Sequence, residues 1–274
     1  ENFIYSIPTT IYFGKGQIEH VAQAVRPYGK KALIVYGGGS VKKNGIFGRV
    51  TEILEHEGIA WEELGGVEPN PRIETVRKGA ELCKAGNIEV VLPIGGGSTI
   101  DAAKAIVFFA AKTCDMRECM FIAVPTTSGT GSEVSKFAVI TDPEKEVKYP
   151  LVEDSLLPDV AILDAELTVS VPPSVTADTG IDVFTHAVEA LVSTAATDFS
   201  DAAAEKAIKL VRRHLMTAYH QPGDMAARQG MHNASCLAGV AFSNSGLGLN
   251  HGMAHALGAR FHIPHGRANG ILLP

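Results

Sequence analysis

The chain has little positive charge to spare. Its 24 Lys and Arg face 30 Asp and Glu, a formal net charge of −6 over 274 residues. No run of Lys or Arg exceeds two residues. Binding to nucleic-acid phosphates needs clustered cations, so that class of partner is not expected. No apolar run is long enough to span a bilayer. The first ten residues, ENFIYSIPTT, lack the basic start and apolar centre of a secretory signal, and the expectation is a cytoplasmic protein. The chain has only 4 cysteines, without CxxC spacing. That reads as free thiols rather than a disulfide framework or a zinc knuckle. The familiar nucleotide fingerprints GxGxxG and GK[ST] are missing. HGMAH (251–255) has the histidine spacing of HExxH, but Gly252 stands where a zinc protease keeps its glutamate, which disfavours that class.

What is present divides in two. Up to about residue 172, short β-branched runs alternate with helical stretches. Candidate strands are 31–37, 89–95, 120–126 and 159–164, and candidate helices are 44–57, 72–86 and 99–112. Apolar strands separated by helices imply a parallel sheet covered on both faces. After PPSVTADTG (172–180) the strand signals vanish. Apolar residues at helical spacing and abundant Ala run through 183–193, 199–220 and 225–242. The expected domains are therefore an α/β domain over 1–172 and a helical domain over 173–274.

Three glycine-rich turns follow candidate strands, where open α/β sheets hold ligands. In IGGGSTIDAAKAI (94–106), Gly95, Gly96 and Gly97 allow close backbone approach. The helix starting at Ser98 offers N–H groups and a favourable dipole to a phosphate. In VPTTSGTGSEVS (124–135), Thr126, Thr127, Ser128, Thr130 and Ser132 offer hydroxyls to a ribose, a phosphate or an adenine edge. In VYGGGSVKKNG (35–45), Gly37, Gly38, Gly39 and Ser40 occupy the place where NAD-binding folds often carry an acid for the ribose 2′-hydroxyl. With Lys42 and Lys43 beyond and no carboxylate in the stretch, a 2′-phosphate is tolerated, which favours NADP(H) over NAD(H).

The helical half carries a different pattern. Asp182 and His186 are four apart, hence on one helix face. His251 and His255 repeat the spacing. Gly258 and Pro264 then break the helix, and His265 can turn back toward His251. Two separated pairs can thus close one Asp-His₃ site, whose mixed O and N donors suit Fe²⁺, Zn²⁺, Mn²⁺ or Co²⁺ without distinguishing them. A nucleotide-binding half and a metal-binding half together suggest metal-assisted hydride transfer.

IYFGKG (11–16), EPNPRIETV (68–76), GGGSTIDAAKAI, PTTSGTGSE, KYPLV (148–152), PDVAILD, TGIDVFTHAVEALVS, FSNSGLGLNHGMAHALG and PHGRANGILLP together resemble the iron-containing (group III) alcohol dehydrogenase family. The resemblance covers essentially the whole chain. It is strongest toward propanol and ethanol dehydrogenases of propanediol- and ethanolamine-utilising bacteria, with a butanol-dehydrogenase-like nucleotide loop.

The resemblance implies a Rossmann-like dinucleotide-binding domain followed by an all-α metal-binding domain, a dehydroquinate synthase-like architecture that is C-terminally incomplete against the family. Its metal ligands match Asp182, His186, His251 and His265, with Fe²⁺ as the ion and Zn²⁺ as the alternative. The additional active-site histidine matches His255, to which we assign a proton relay. The cofactor residues match Gly37, Gly38, Ser40, Gly95, Gly96, Gly97, Ser98, Asp101, Thr126, Thr127, Thr130, Ser132, Lys148 and Leu167. His262 matches no ligand and reads as a bystander. Asn250, Arg267 and Gly270 depart from the usual family residues, and Gly270 inside a helix costs about 1 kcal/mol. The implied activity is hydride transfer between NAD(P)(H) and a short primary alcohol or aldehyde, by a homodimer, with microcompartment association as a possibility. The competing readings are a glycerol-dehydrogenase-like zinc polyol dehydrogenase and a catalytically inactive nucleotide-binding or microcompartment-associated protein.

Overall fold

The computed structural model describes residues 2–113, 119–144, 147–261 and 263–273. Cys114 and His262 lie outside the described residues, while Cys83, Cys119 and Cys236 are buried. The strands are β1 (Thr10–Phe13), β2 (Lys31–Val35), β3 (Ala60–Leu64), β4 (Val90–Gly95), β5 (Met120–Pro125), β6 (Phe137–Asp142), β7 (Val147–Val152) and β8 (Val160–Leu163). The helices are α1 (Val21–Val25), α2 (Ser40–Lys43), α3 (Ile46–His56), α4 (Ile73–Gly86), α5 (Gly97–Thr113), α6 (Pro173–Val192), α7 (Asp198–His220), α8 (Met225–Ser245), α9 (Leu249–Phe261) and α10 (His265–Leu272).

The chain forms two compact units. One comprises Pro8–Thr126 and Lys136–Asp164, the other Glu1–Ile7, Thr127–Ser135 and Ala165–Pro274. The first holds a six-stranded sheet in the order β1-β8-β5-β4-β2-β3, with β6 and β7 as a separate antiparallel pair. Every pairing in the larger sheet is parallel. The central strands are apolar at almost every position because helices cover both faces. On one face Leu33, Val35, Val91 and Phe121 pack with Val76, Ala80 and Cys83 of α4 and Ala103 and Ile106 of α5. Because β2, β4 and β5 are parallel neighbours, the turns leaving them, at Gly37, Gly95–Gly97 and Thr126, lie along one edge. The Thr126 N–H donates to the Gly95 carbonyl at 2.9 Å.

The second unit is helical. The Thr197 hydroxyl accepts from the Ser200 N–H and the Ser200 hydroxyl accepts from the Thr197 N–H, a reciprocal cap that starts α7. Asp224 starts α8 by accepting from the Ala227 N–H. Arg228 of α8 is buried and donates to the Pro222 carbonyl, the Thr176 hydroxyl and the Val171 carbonyl. Those bonds fasten the approach to α6 onto α8.

The chain passes into the helical unit at Ala165, and that unit also recruits residues 127–135 and the N-terminal segment. The reason is packing that composition does not display. Gly131, at φ 61°, lies so close to Gly239 of α8 that a Cβ on Gly239 would sit 2.8 Å from the Gly131 carbonyl oxygen. The Ser6 backbone exchanges two hydrogen bonds with the Asn244 carboxamide of α8.

Two glycines seat α10 on α6. A Cβ on Gly266 would collide with the Asp178 backbone carbonyl, and one on Gly270 would meet Ile181 Cγ2 at 2.6 Å. Arg267 between them forms a two-pronged ion pair with Asp178, at 3.2 and 3.1 Å. Gly270 is thus not a weakness in α10 but the condition for its close approach. We expect Gly266→Ala, which meets backbone rather than a movable side chain, to destabilise the protein by about 1–3 kcal/mol or more. A urea midpoint unchanged from that of the parent would refute this close seating.

Candidate metal centre and nucleotide loops

Three helices of the second unit supply one cluster. Helix α6 brings Asp182, His186 and Glu189. Helix α9 brings His251 and His255, and α10 brings His265 and Asn269. Asp182, His186, His251 and His265 each offer one donor atom, and these atoms lie within 4.8 Å of one another. Asp182 Oδ1 is 3.4 Å from His251 Nε2, 3.5 Å from His265 Nε2 and 4.0 Å from His186 Nε2. A tetrahedral ion with bonds of about 2.1 Å needs donors about 3.4 Å apart. The spacing therefore suits a small divalent cation, as does a set of one carboxylate and three imidazoles.

Burial makes the cluster costly without charge compensation. Asp182, His186 and His251 are 2%, 4% and 3% exposed. Burial alone raises the Asp182 carboxyl, but the neighbouring His186, His265 and His251 outweigh it and hold the group well below the carboxylate range. Burial pushes His186 down to about 3 against the pull of Asp182, so its ring is neutral. That ring stacks between Phe242 and His251 at centroid distances of 4.6 and 4.4 Å. Its Nδ1 is buried with no hydrogen-bond partner among the described residues.

The opposite holds for His251. Burial lowers it, but hydrogen bonds and charge from Asp182 and Glu189 lift it to about 9. Glu189 is itself held low despite burial, chiefly by its hydrogen bond from His251. Glu189 accepts from His251 Nδ1 and from the backbone N–H groups of Asn250 and His251. It caps the start of α9 and fixes the ring so that, in its neutral form, Nε2 turns a lone pair toward Asp182. Neither Glu189 nor Asn269 is evident from the sequence. Glu189 lies seven residues beyond Asp182 on the same helix face, which is the one signal that could have found it. His255 is half-buried and stacks on His265 at 5.1 Å, at the rim of the cluster.

The nucleotide-loop residues are placed in two groups. In the α/β unit, Ser98 Oγ accepts from the Asn70 N–H at 3.3 Å, and Lys148 Nζ donates to Asn70 Oδ1 at 3.0 Å. Asn70, at φ 59°, thus joins the glycine turn to the β6–β7 hairpin. Partial burial lowers the Lys148 ammonium. Asp101 points away from the turn and accepts from the Val139 N–H. Gly37 tolerates a Cβ, whose nearest neighbours would be the Val67 carbonyl oxygen at 3.4 Å and Thr99 Oγ1 at 3.5 Å. Gly38 and Ser40 are exposed beside it, and Gly95 to Gly97 carry the chain from β4 into α5.

A carboxylate from outside the Gly37–Lys43 loop stands beside it, because β3 lies next to β2. Glu63 of β3 binds Lys42 at 2.7 Å, and the Lys42 ammonium rests over the Tyr36 and Phe47 rings. In the helical unit, Thr127 and Thr130 are partly exposed, with Thr130 Oγ1 accepting from the Ser132 N–H. Ser132 and Leu167 are each 3% exposed.

The model of iron-containing alcohol dehydrogenases matches residues 8–165, and that of the family's C-terminal region matches 176–274. An NADPH-dependent butanol dehydrogenase of Clostridium saccharobutylicum is 46% identical, over 98% of this chain and 72% of its own length. The 1-propanol dehydrogenase PduQ of Salmonella typhimurium is 46% identical, over 98% of this chain and 71% of its own. The solved structure of a 1,3-propanediol oxidoreductase superposes with a TM-score of 0.95 at 38% identity, covering all of this chain and 75% of that one. The chain belongs to the iron-containing alcohol dehydrogenase family, a family of oxidoreductases.

A carboxylate that orients an imidazole against a metal contributes to ion affinity. We expect Glu189→Ala to weaken Co²⁺ binding about 10- to 100-fold and Glu189→Gln to recover part of the loss. Equal affinity of the Ala variant and the parent in a chelator-competition titration would show that Glu189 serves α9 alone.

Proposed function

We propose that the protein is a metal-dependent, nicotinamide-dependent dehydrogenase that interconverts short primary alcohols and aldehydes. The observation that carries this reading is the buried Asp182-His186-His251-His265 cluster at tetrahedral spacing. It stands in a chain 46% identical to a butanol and a propanol dehydrogenase. When bound, the ion supplies a Lewis acid for the substrate oxygen and the nicotinamide supplies or takes the hydride.

The chain's own residues do the rest. Asp182, His186, His251 and His265 hold the ion. Glu189 orients His251. His255, half-buried against the His265 ring, takes the hydroxyl proton in oxidation and returns it in reduction. Gly95, Gly96, Gly97 and Ser98 cradle the pyrophosphate at the start of α5. Thr126, Thr127 and Thr130 contribute hydroxyls to the cofactor, and Lys148, steered by Asn70, contributes charge. Among the described residues no helix is long and apolar enough to cross a membrane.

NADP(H) is favoured over NAD(H) because Gly37, Gly38 and Ser40 leave room for a 2′-phosphate, and because Lys42 neutralises Glu63. Iron is favoured over zinc by family membership alone. A complete donor set speaks against an inactive scaffold, and the polyol-dehydrogenase alternative finds no support among the relatives named above.

The decisive assay supplies Fe²⁺, NADPH and propanal or butanal under anaerobic conditions and follows the nicotinamide absorbance. NADPH oxidation that disappears in His265→Ala, together with loss of bound metal, is the expected result. Silence with every metal and both nicotinamides would overturn the reading. For the cofactor, Gly37→Asp is expected to shift the kcat/KM ratio toward NADH by tenfold or more. An unaltered ratio would remove Gly37 from the selectivity argument.

A further inference from the structure

Asn269 lies fully buried in the last helix, and its carboxamide enters the donor set itself. Its Nδ2 is 2.7 Å from Asp182 Oδ1, 3.1 Å from His251 Nε2 and 3.2 Å from His265 Nε2. The orientation of the amide follows from chemistry. An ionised carboxylate only accepts, so the amide atom beside Asp182 is the nitrogen. The other end agrees, since Asn269 Oδ1 accepts from Asn250 Nδ2 at 3.0 Å and the Asn269 carbonyl accepts from the same nitrogen at 3.2 Å. Asn250 thereby locks the amide with its donor end toward the cluster.

An amide nitrogen has two protons. The shortest contact commits one to Asp182, and the other goes to His265 Nε2. His251, held in its charged form by Asp182 and Glu189, has no lone pair to offer while the centre is metal-free. A neutral imidazole has a single lone pair at its unprotonated nitrogen, and that lone pair cannot serve an N–H donor and a cation together. A carboxylate has lone pairs to spare. The two bonds of Asn269 therefore differ in kind: the one to His265 competes with an ion, whereas the one to Asp182 is compatible with it.

Resting on the metal-centre reading above, we propose that Asn269 is a positioning residue that rivals the cation. It gathers the donor atoms by hydrogen bonding, yields the His265 lone pair when an ion enters, and stays on as the outer partner of Asp182. It thereby sets how tightly and how fast the centre takes up metal, without being a ligand.

The test uses the full chain, stripped with chelator and titrated with Co²⁺, whose absorption reports the coordination sphere. Removing the rival removes one hydrogen bond more from the stripped protein than from the loaded one. Asn269→Ala is thus expected to bind Co²⁺ about fivefold more tightly and to load faster, with unchanged Co²⁺ bands. The rise in Tm on adding Co²⁺ is expected to be larger than in the parent. Asn269→Ser, which keeps a single donor, is expected to fall between the two and covers the case in which the Ala variant does not fold. Weaker binding, altered bands or an undiminished Tm of the stripped variant would overturn the proposal, since each makes Asn269 a ligand or a mere packing group. Failure of the parent to take up Co²⁺ would instead overturn the metal centre itself, and the proposal with it.

Discussion

The helical unit depends on one constraint: a carboxylate, Asp182, is placed where water does not reach it. A bare buried charge costs several kcal/mol, so the surrounding elements must answer it. Helix α6 answers with His186 one turn on, α9 with His251, and α10 with His265 and Asn269. The bends that break α9 from α10 and the glycines that let α10 press against α6 then have one physical purpose. They bring enough compensating groups to Asp182. The same groups, once gathered, form a donor set for a cation, and this links the stability of the unit to its chemistry.

Around that set lies a shell whose members act on the donors rather than on a substrate. Glu189 holds His251 from behind and also caps α9, so one side chain governs both the helix start and the ring orientation. Asn250 plays a similar double part. The resemblance leads one to expect an apolar residue there, and burying a polar carboxamide is tolerated because Asn269 satisfies it. Arg267, the other departure, holds α10 to α6 through Asp178 at the surface, outside the cluster. Two unusual residues in one short segment thus have unrelated structural reasons.

Much of this was legible in the sequence, and the boundary of legibility has a physical form. The strands at 31–35, 90–95, 120–125 and 160–163 announce themselves because both faces are buried. Strand β3, AWEEL, and strand β1, TIYF, expose part of their surface at the sheet edges and give no such run. The cost of missing β3 was specific, since it hid Glu63, which pairs with Lys42 of the Gly37–Lys43 loop. Asp182 with His186 and His251 with His255 were visible because their partners lie one helical turn away. Asn269 was not, because its meaning comes from three residues on two other helices. The place of residues 127–135 in the helical unit was hidden for the same reason. Residues 127–135 read as one glycine loop of the α/β half, yet the contact of Gly131 with Gly239 is made by a helix a hundred residues later.

Gly270 shows how local and tertiary terms are to be weighed. Helix propensity alone assigns it a penalty of about 1 kcal/mol against Ala. In place, a single added methyl would stand 2.6 Å from Ile181, and relieving such a clash in a packed interior costs as much as the penalty or more. The local rule is obeyed in sign and overruled in sum. What decides is the distance at which α10 must lie from α6 so that His265 and Asn269 both reach Asp182. A larger residue would improve the helix and separate it from the carboxylate that the helix exists to answer.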